Sequence, residues 1–129
     1  MFNNQLYKIL ELKEEGQTIQ AVISLNADHA IYEGHFPSNP VTPGVCQIQI
    51  VKDIISRLKG KPCFLVEAKN IKFLSMLTPQ EKNVRLDLEY SEQNNQIKVK
   101  SQLSSGDKIF LKFSGLFVPE NKLPTGTLP

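Results

Sequence analysis

The sequence predicts an α+β domain in which a curved antiparallel sheet wraps around one long central helix. Three observations lead there. Apolar residues alternate with polar ones at period two over several runs, the pattern of strands with one wet face. One segment, 43–59, departs from that pattern and carries its apolar residues at helical spacing. Turn-forming residues separate the alternating runs, so strands and helix follow one another in a short, economical order.

The first strand is expected over residues 5–12, ahead of a turn at Glu14-Glu15-Gly16. Ile19, Ala21, Ile23 and Leu25 alternate as the second. In the helical segment Val45, Ile48, Val51, Ile55 and Leu58 form an apolar stripe that Ile50 and Ile54 widen, so most of this helix should be buried. Thr42 is expected as its N-cap with Pro43 at the first helical position, where no N–H is needed. Gly60 should end it.

Cys63–Phe73 carries a strand signal of lower contrast. Val84, Leu86, Leu88 and Tyr90 alternate cleanly with Arg85, Asp87 and Glu89, and Ile97, Val99 and Leu103 with Gln96, Lys98, Lys100 and Gln102. Asn94-Asn95 tolerates positive φ and should close a hairpin between these two runs. Ser105-Gly106-Asp107 is a second turn, leading into a longer apolar strand over 109–118. The order is β-β-α-β-β-β-β: one domain over 1–119, then a tail at 120–129 without periodicity that should be loose.

Composition narrows the function. With 129 residues and 40% apolar content, the chain supports one core. No apolar run reaches membrane-spanning length, and the N-terminus lacks a basic region followed by an apolar stretch, so a cytoplasmic location is expected. The 15 basic and 13 acidic residues give a net charge of +2 with no basic cluster, which argues against nucleic-acid binding. Cys46 and Cys63 lack CxxC spacing and read as free, mostly buried thiols. Two separated histidines, His29 and His35, do not make a metal site.

The densest signal is Gly34-His35-Phe36-Pro37-Ser38-Asn39-Pro40-Val41-Thr42-Pro43-Gly44-Val45, with Gln49 five residues past Gly44. This string resembles the active-site segment of the hot-dog-fold 3-hydroxyacyl-ACP dehydratases. The resemblance extends over nearly the whole chain, through the strand order, the helix, and Ile71-Lys72-Phe73 with Pro79 beyond it. Some members of that branch act on fatty acids and others on pigment-like polyene chains.

The resemblance implies a set of roles. His35 matches the family's base, which takes the proton from C2 of the 3-hydroxyacyl thioester, and an imidazole of ordinary pKa suits that task. Backbone N–H groups of Gly44 and Val45, in the first helical turn, would polarise the thioester carbonyl. Gln49 stands where the family carries a Glu or Asp. An amide can hold a hydroxyl or a water but has no proton to release, so it either orients substrate or marks an inactivated site. Asp53, one turn on, shares a helix face with Gln49 and Ser56 and is a possible substitute acid, or else a solvated or cation-paired surface carboxylate.

Gln47 falls inside the apolar arc and must find partners if buried, most simply in the backbone of the His35 loop. His29 is expected as a loop residue. The resemblance further implies a homodimer, or a multiple of dimers, joined at a sheet edge, with His35 and the position-49 residue of each site coming from different subunits. It implies an acyl tunnel along the helices lined by residues such as Val45 and Ile48. It also implies an acyl carrier protein docked on a basic rim to which Lys69, Lys72 and Lys82 contribute. No cofactor is expected beyond the carrier's own phosphopantetheine. Three functions stay open: dehydration, thioester hydrolysis, and a non-catalytic acyl-binding or heterodimer-partner role.

Overall fold

The computed structural model describes residues 5–33 and 40–120. Six strands and one long helix make up the fold: β1 (Tyr7–Glu15), β2 (Thr18–Leu25), α1 (Gly44–Lys59), β3 (Cys63–Phe73), β4 (Val84–Gln93), β5 (Gln96–Ser105) and β6 (Lys108–Pro119). A 3-10 turn, Ala30–Tyr32, precedes the helix. The expected order of elements is therefore the observed one. All pairings are antiparallel, in the spatial order β1-β2-β4-β5-β6-β3. The third strand in sequence thus becomes an edge, because the chain crosses the sheet with the helix before entering it.

Period-two alternation sets which face is dry. Ile19, Ala21 and Ile23 of β2, Val84, Leu86 and Leu88 of β4, and Ile97, Val99 and Leu103 of β5 all point one way. Phe110, Leu111, Phe113 and Phe117 of β6 complete that surface, against which Ile50, Val51, Ile54 and Ile55 of α1 pack. Each of these helix residues is at most 1% exposed, and full burial of such a side chain contributes about 1.5–3 kcal/mol. The alternate positions hold Gln20, Val22 and Ser24 in β2, Arg85, Asp87 and Glu89 in β4, and Lys98, Lys100 and Gln102 in β5.

The turns follow from their residues. Asn94 and Asn95 both take positive φ, 55° and 62°, as a two-residue hairpin requires. Gly60 ends α1 at φ 71°, its N–H donating to Arg57 O while Lys61 N–H donates to Ser56 O.

Three expectations need correction. The buried stripe of α1 centres on Ile50, Val51, Ile54 and Ile55 with Gln47, whereas Val45 is 75% exposed and Ile48 and Leu58 are half-buried. Val45 sits in the first turn on the side of the helix opposite that stripe. The N-cap is Pro43, with no side-chain cap bond, not Thr42. The Thr42 hydroxyl is taken instead by Tyr32, oxygen to oxygen at 2.8 Å, and its N–H by Leu77 O. Finally, β1 runs to Glu15, past 12, because it pairs with β2 down to Glu15↔Thr18.

Candidate active site

Helix α1 separates two surface depressions, and the candidate residues divide between them. Between α1 and β1 lies a groove of about 1120 Å³ whose wall includes Tyr7, His29, Cys46, Gln49, Asp53 and Ser56. Near the start of α1 lies a smaller one of about 320 Å³, formed by Thr42, Pro43, Gly44, Gln47, Phe73 and Met76. Gln49 and Asp53 thus share one groove. Gly44 lies on the other.

In the larger groove, helical spacing puts Gln49 and Asp53 on one face, and the Gln49 Nε2 donates to Asp53 Oδ1 at 2.8 Å. Asp53 Oδ2 accepts from the Tyr7 hydroxyl of β1 at 2.9 Å. The carboxylate is therefore neither simply solvated nor paired with Lys or Arg: its two oxygens are taken by an amide and a phenol. Burial, with the neighbouring Asp53 charge and hydrogen bond adding to it, pushes the Tyr7 phenol far above its ordinary pKa, while Arg57 pulls weakly the other way. Tyr7 accordingly keeps its proton and remains a donor. The Cys46 thiol nearby is also pushed up by burial, which makes it a poor nucleophile.

Tyr7 is the residue that sequence reasoning missed. Its partner is 46 positions away, and the only sequence signal was the i, i+4 spacing of Gln49 and Asp53. His29 is more than a loop residue: at 8% exposure it caps the 3-10 turn, its Nδ1 accepting from Ile31 N–H at 3.0 Å.

At the start of α1, a Cβ built on Gly44 would stand 2.9 Å from the Cε atoms of Phe73, well inside contact distance. The bare Cα is what lets the Phe73 ring of edge strand β3 cover the helix start. Gln47 is 3% exposed, and its Nε2 donates to Thr42 O at 3.1 Å, meeting the expectation of a bond to the backbone near the His35 loop. Its Oε1 is buried and has no partner among the described residues. His35 itself, with 34–39, lies outside the described residues, as does the tail from 121 on. Its flanks are fixed, because Tyr32 before the segment bonds Thr42 after it.

Among the described residues no group of His, Cys, Asp and Glu is placed to hold a metal, and no helix is long and apolar enough to cross a membrane. Both cysteines are free.

Solved structures share the fold. An uncharacterized protein from Erwinia carotovora subsp. atroseptica superposes with a TM-score of 0.64 at 23% identity, covering 92% of this chain and 100% of that one. The dehydratase heterocomplex ApeI:P from Xenorhabdus doucetiae gives 0.63 at 20% identity, over 84% of this chain and 96% of that one. These likenesses, with the six-stranded sheet around one helix, define an α+β protein of the hot-dog fold. Within that class, the family model described as ApeI dehydratase matches residues 11–112, and the chain belongs to this ApeI-like family. It is also similar to the 3-hydroxyacyl-[acyl-carrier-protein] dehydratase FabZ of Clostridium beijerinckii, 29% identical over 74% of this chain and 68% of that protein. The FabZ of Caulobacter sp. is 27% identical over 83% and 72%.

Proposed function

We propose that this protein dehydrates 3-hydroxyacyl thioesters carried on acyl carrier protein, giving the trans-2-enoyl thioester and water. Membership of a dehydratase family and similarity to FabZ relatives support this reading over thioester hydrolysis or an inert partner role. The observation that carries it on to particular residues is the position of Gln49 on the wall of the large groove, held by Asp53.

The chemistry balances with one base. His35 removes the C2 proton, the electron pair becomes the C2–C3 double bond, and the C3–O bond breaks. The departing hydroxyl leaves with the proton carried by His35, which returns to its neutral form. Gln49 contributes no proton; it holds the hydroxyl so that a lone pair faces the imidazolium. Gly44 and Val45 N–H groups, lacking partners within the helix, stabilise negative charge on the thioester oxygen. The reaction calls for no cofactor beyond the phosphopantetheine that bears the acyl chain. A carrier-bound substrate fits a cytoplasmic location.

The division of candidate residues between two grooves supports a site shared by two copies. One subunit supplies the His35 loop and the helix start, and the other supplies Gln49. The natural junction is edge strand β3, where Val66, Ile71 and Phe73 are 45%, 40% and 51% exposed. A homodimer through that edge would cover them. The acidic carrier then meets Lys69, Lys72 and Lys82 at the rim.

The test is hydration of a trans-2-enoyl thioester on ACP and on CoA, comparing wild type with His35→Ala. The expected result is turnover that His35→Ala loses by at least about 100-fold, the lower end for general acid–base participation. Equal rates in the two proteins, or no turnover by a folded protein at any chain length, would overturn the proposal.

A further inference from the structure

An amide has a donor end and an acceptor end of nearly the same shape, so a glutamine alone does not decide which it offers to a substrate. In this protein the choice is made elsewhere. We propose that Asp53 and Tyr7 are positioning residues that fix the Gln49 amide with its acceptor end toward the groove, so that position 49 receives a hydrogen bond from the substrate's 3-hydroxyl. The inference rests on the dehydratase reading and adds to it the polarity of the site.

Two contacts and one open acceptor carry it. A carboxylate accepts hydrogen bonds and does not donate them, so Asp53 Oδ1 selects Nε2 of Gln49, at 2.8 Å. The carboxylate cannot swing away, because Oδ2 is held at 2.9 Å by the Tyr7 hydroxyl, which comes from a different element. Among the described residues nothing donates to Gln49 Oε1, and the exposed side chain places it at the groove wall. Anchoring from both helix and strand fixes the amide more firmly than a helical i, i+4 pair would, since such pairs contribute only about 0.2–0.5 kcal/mol on an isolated helix.

The polarity suits the chemistry. A 3-hydroxyl that donates to Oε1 turns its lone pairs outward, where the proton removed from C2 is to be delivered. With the amide reversed, Nε2 would occupy a lone pair and compete with that proton.

The experiment measures kcat and KM for enoyl-ACP hydration in Asp53→Asn, Tyr7→Phe, Gln49→Ala, the pair Gln49→Ala/Asp53→Asn, and the exchange Gln49→Glu/Asp53→Asn, with His35→Ala as control. Asp53→Asn puts a donor opposite Gln49 and lets its amide turn round. Its kcat should fall about 10- to 100-fold, the range for a hydrogen bond to a charged group, with KM little changed. Tyr7→Phe should lose less, since Oδ1 still holds Nε2. The exchange restores an acceptor at position 49 held by a donor at 53, and should recover most of the lost kcat. In the Gln49→Ala background, Asp53→Asn should cost nothing further, because its target is gone.

Unchanged kcat in Asp53→Asn, no recovery in the exchange, or a full additional loss on top of Gln49→Ala would each overturn the positioning role while leaving the dehydratase reading intact. Turnover that does not depend on His35 would instead overturn that reading and the positioning role together. The Gln49→Ala pair keeps the question decidable should the exchange fail to fold.

Discussion

Tyr32 and Thr42 are joined hydroxyl to hydroxyl at 2.8 Å, and this bond closes the base of the segment that carries His35. Both residues are buried, Tyr32 at 4% and Thr42 at 1% exposure. Thr42 is further tied through its N–H to Leu77 O and through its carbonyl to Gln47 Nε2. One threonine thus ties position 42 to the core, to the helix and, through Tyr32, to the chain ahead of the segment that carries His35.

Thr42→Val keeps the shape and removes the hydroxyl, leaving the buried Tyr32 O–H without its partner. The expected cost is about 1–3 kcal/mol, the penalty for an unsatisfied buried group. Urea unfolding measures it. The paired change Tyr32→Phe/Thr42→Val removes both partners and should cost less than Thr42→Val alone. A larger loss in the pair would contradict this account of the bond.

Gly44→Ala should be tolerated poorly for a reason specific to Phe73, since the added methyl would enter the ring. Overpacking of this kind costs about 1–3 kcal/mol. Phe73→Ala in the same chain should relieve most of it, even though Phe73→Ala alone is mildly destabilising. Thermal unfolding of the two single variants and the pair provides the cycle, and additive losses would show that Gly44 is needed for something other than that ring.

A site shared between subunits predicts complementation. His35→Ala and Gln49→Ala proteins should each be impaired alone, and refolding them together should restore activity. In a mixed dimer one site carries both lesions and the other carries neither. With half the dimers mixed, recovery should approach about one quarter of wild-type activity, following from two-fold symmetry. Mixed samples no more active than the average of the parents would place the whole site in one chain.

Tyr7 ties stability to alkaline pH. Its folded pKa lies above the ordinary 10.0, so as the pH rises past that value the unfolded chain releases a proton that the folded chain still binds. The unfolded state then binds fewer protons, and stability must fall with rising pH. The stabilisation is complete below 10.0 and is lost as the pH climbs through the folded value. Denaturation midpoints between neutral and strongly alkaline pH should drop, and less steeply in Tyr7→Phe. Parallel curves for the two proteins would refute the assignment.

Much of this was legible in the chain because the relevant physics is local. Asn94-Asn95 specifies its turn within two residues, and the alternation in β4 and β5 specifies a dry face within ten. Cys63–Phe73 read at lower contrast for a structural reason: an edge strand exposed on both faces has no dry side to record in its sequence. Helical spacing identified α1 but misjudged Val45, because the buried stripe centres on Gln47, Ile50, Val51, Ile54 and Ile55, and at about 100° per residue Val45 falls on the opposite side of the helix. The Thr42 cap failed to a competitor ten residues away, the Tyr32 hydroxyl. Gln49 and Asp53 were visible together through their spacing, whereas Tyr7 required the fold to bring β1 across the helix.

The two interruptions in β3 have a consequence for where this protein adheres. The β3–β6 ladder shifts register between Leu65 and Glu67 and again between Ala68 and Asn70, so Val66 and Lys69 are supernumerary residues in that strand. A long, apolar, regular edge would recruit any extended chain, and fibre growth would follow. This edge is cut into short runs, and a foreign strand meets a broken row of donors and acceptors. A second β3, reversed, carries its own two interruptions at matching spacing. In the homodimer proposed above, this interrupted edge would favour a second β3 over a foreign strand.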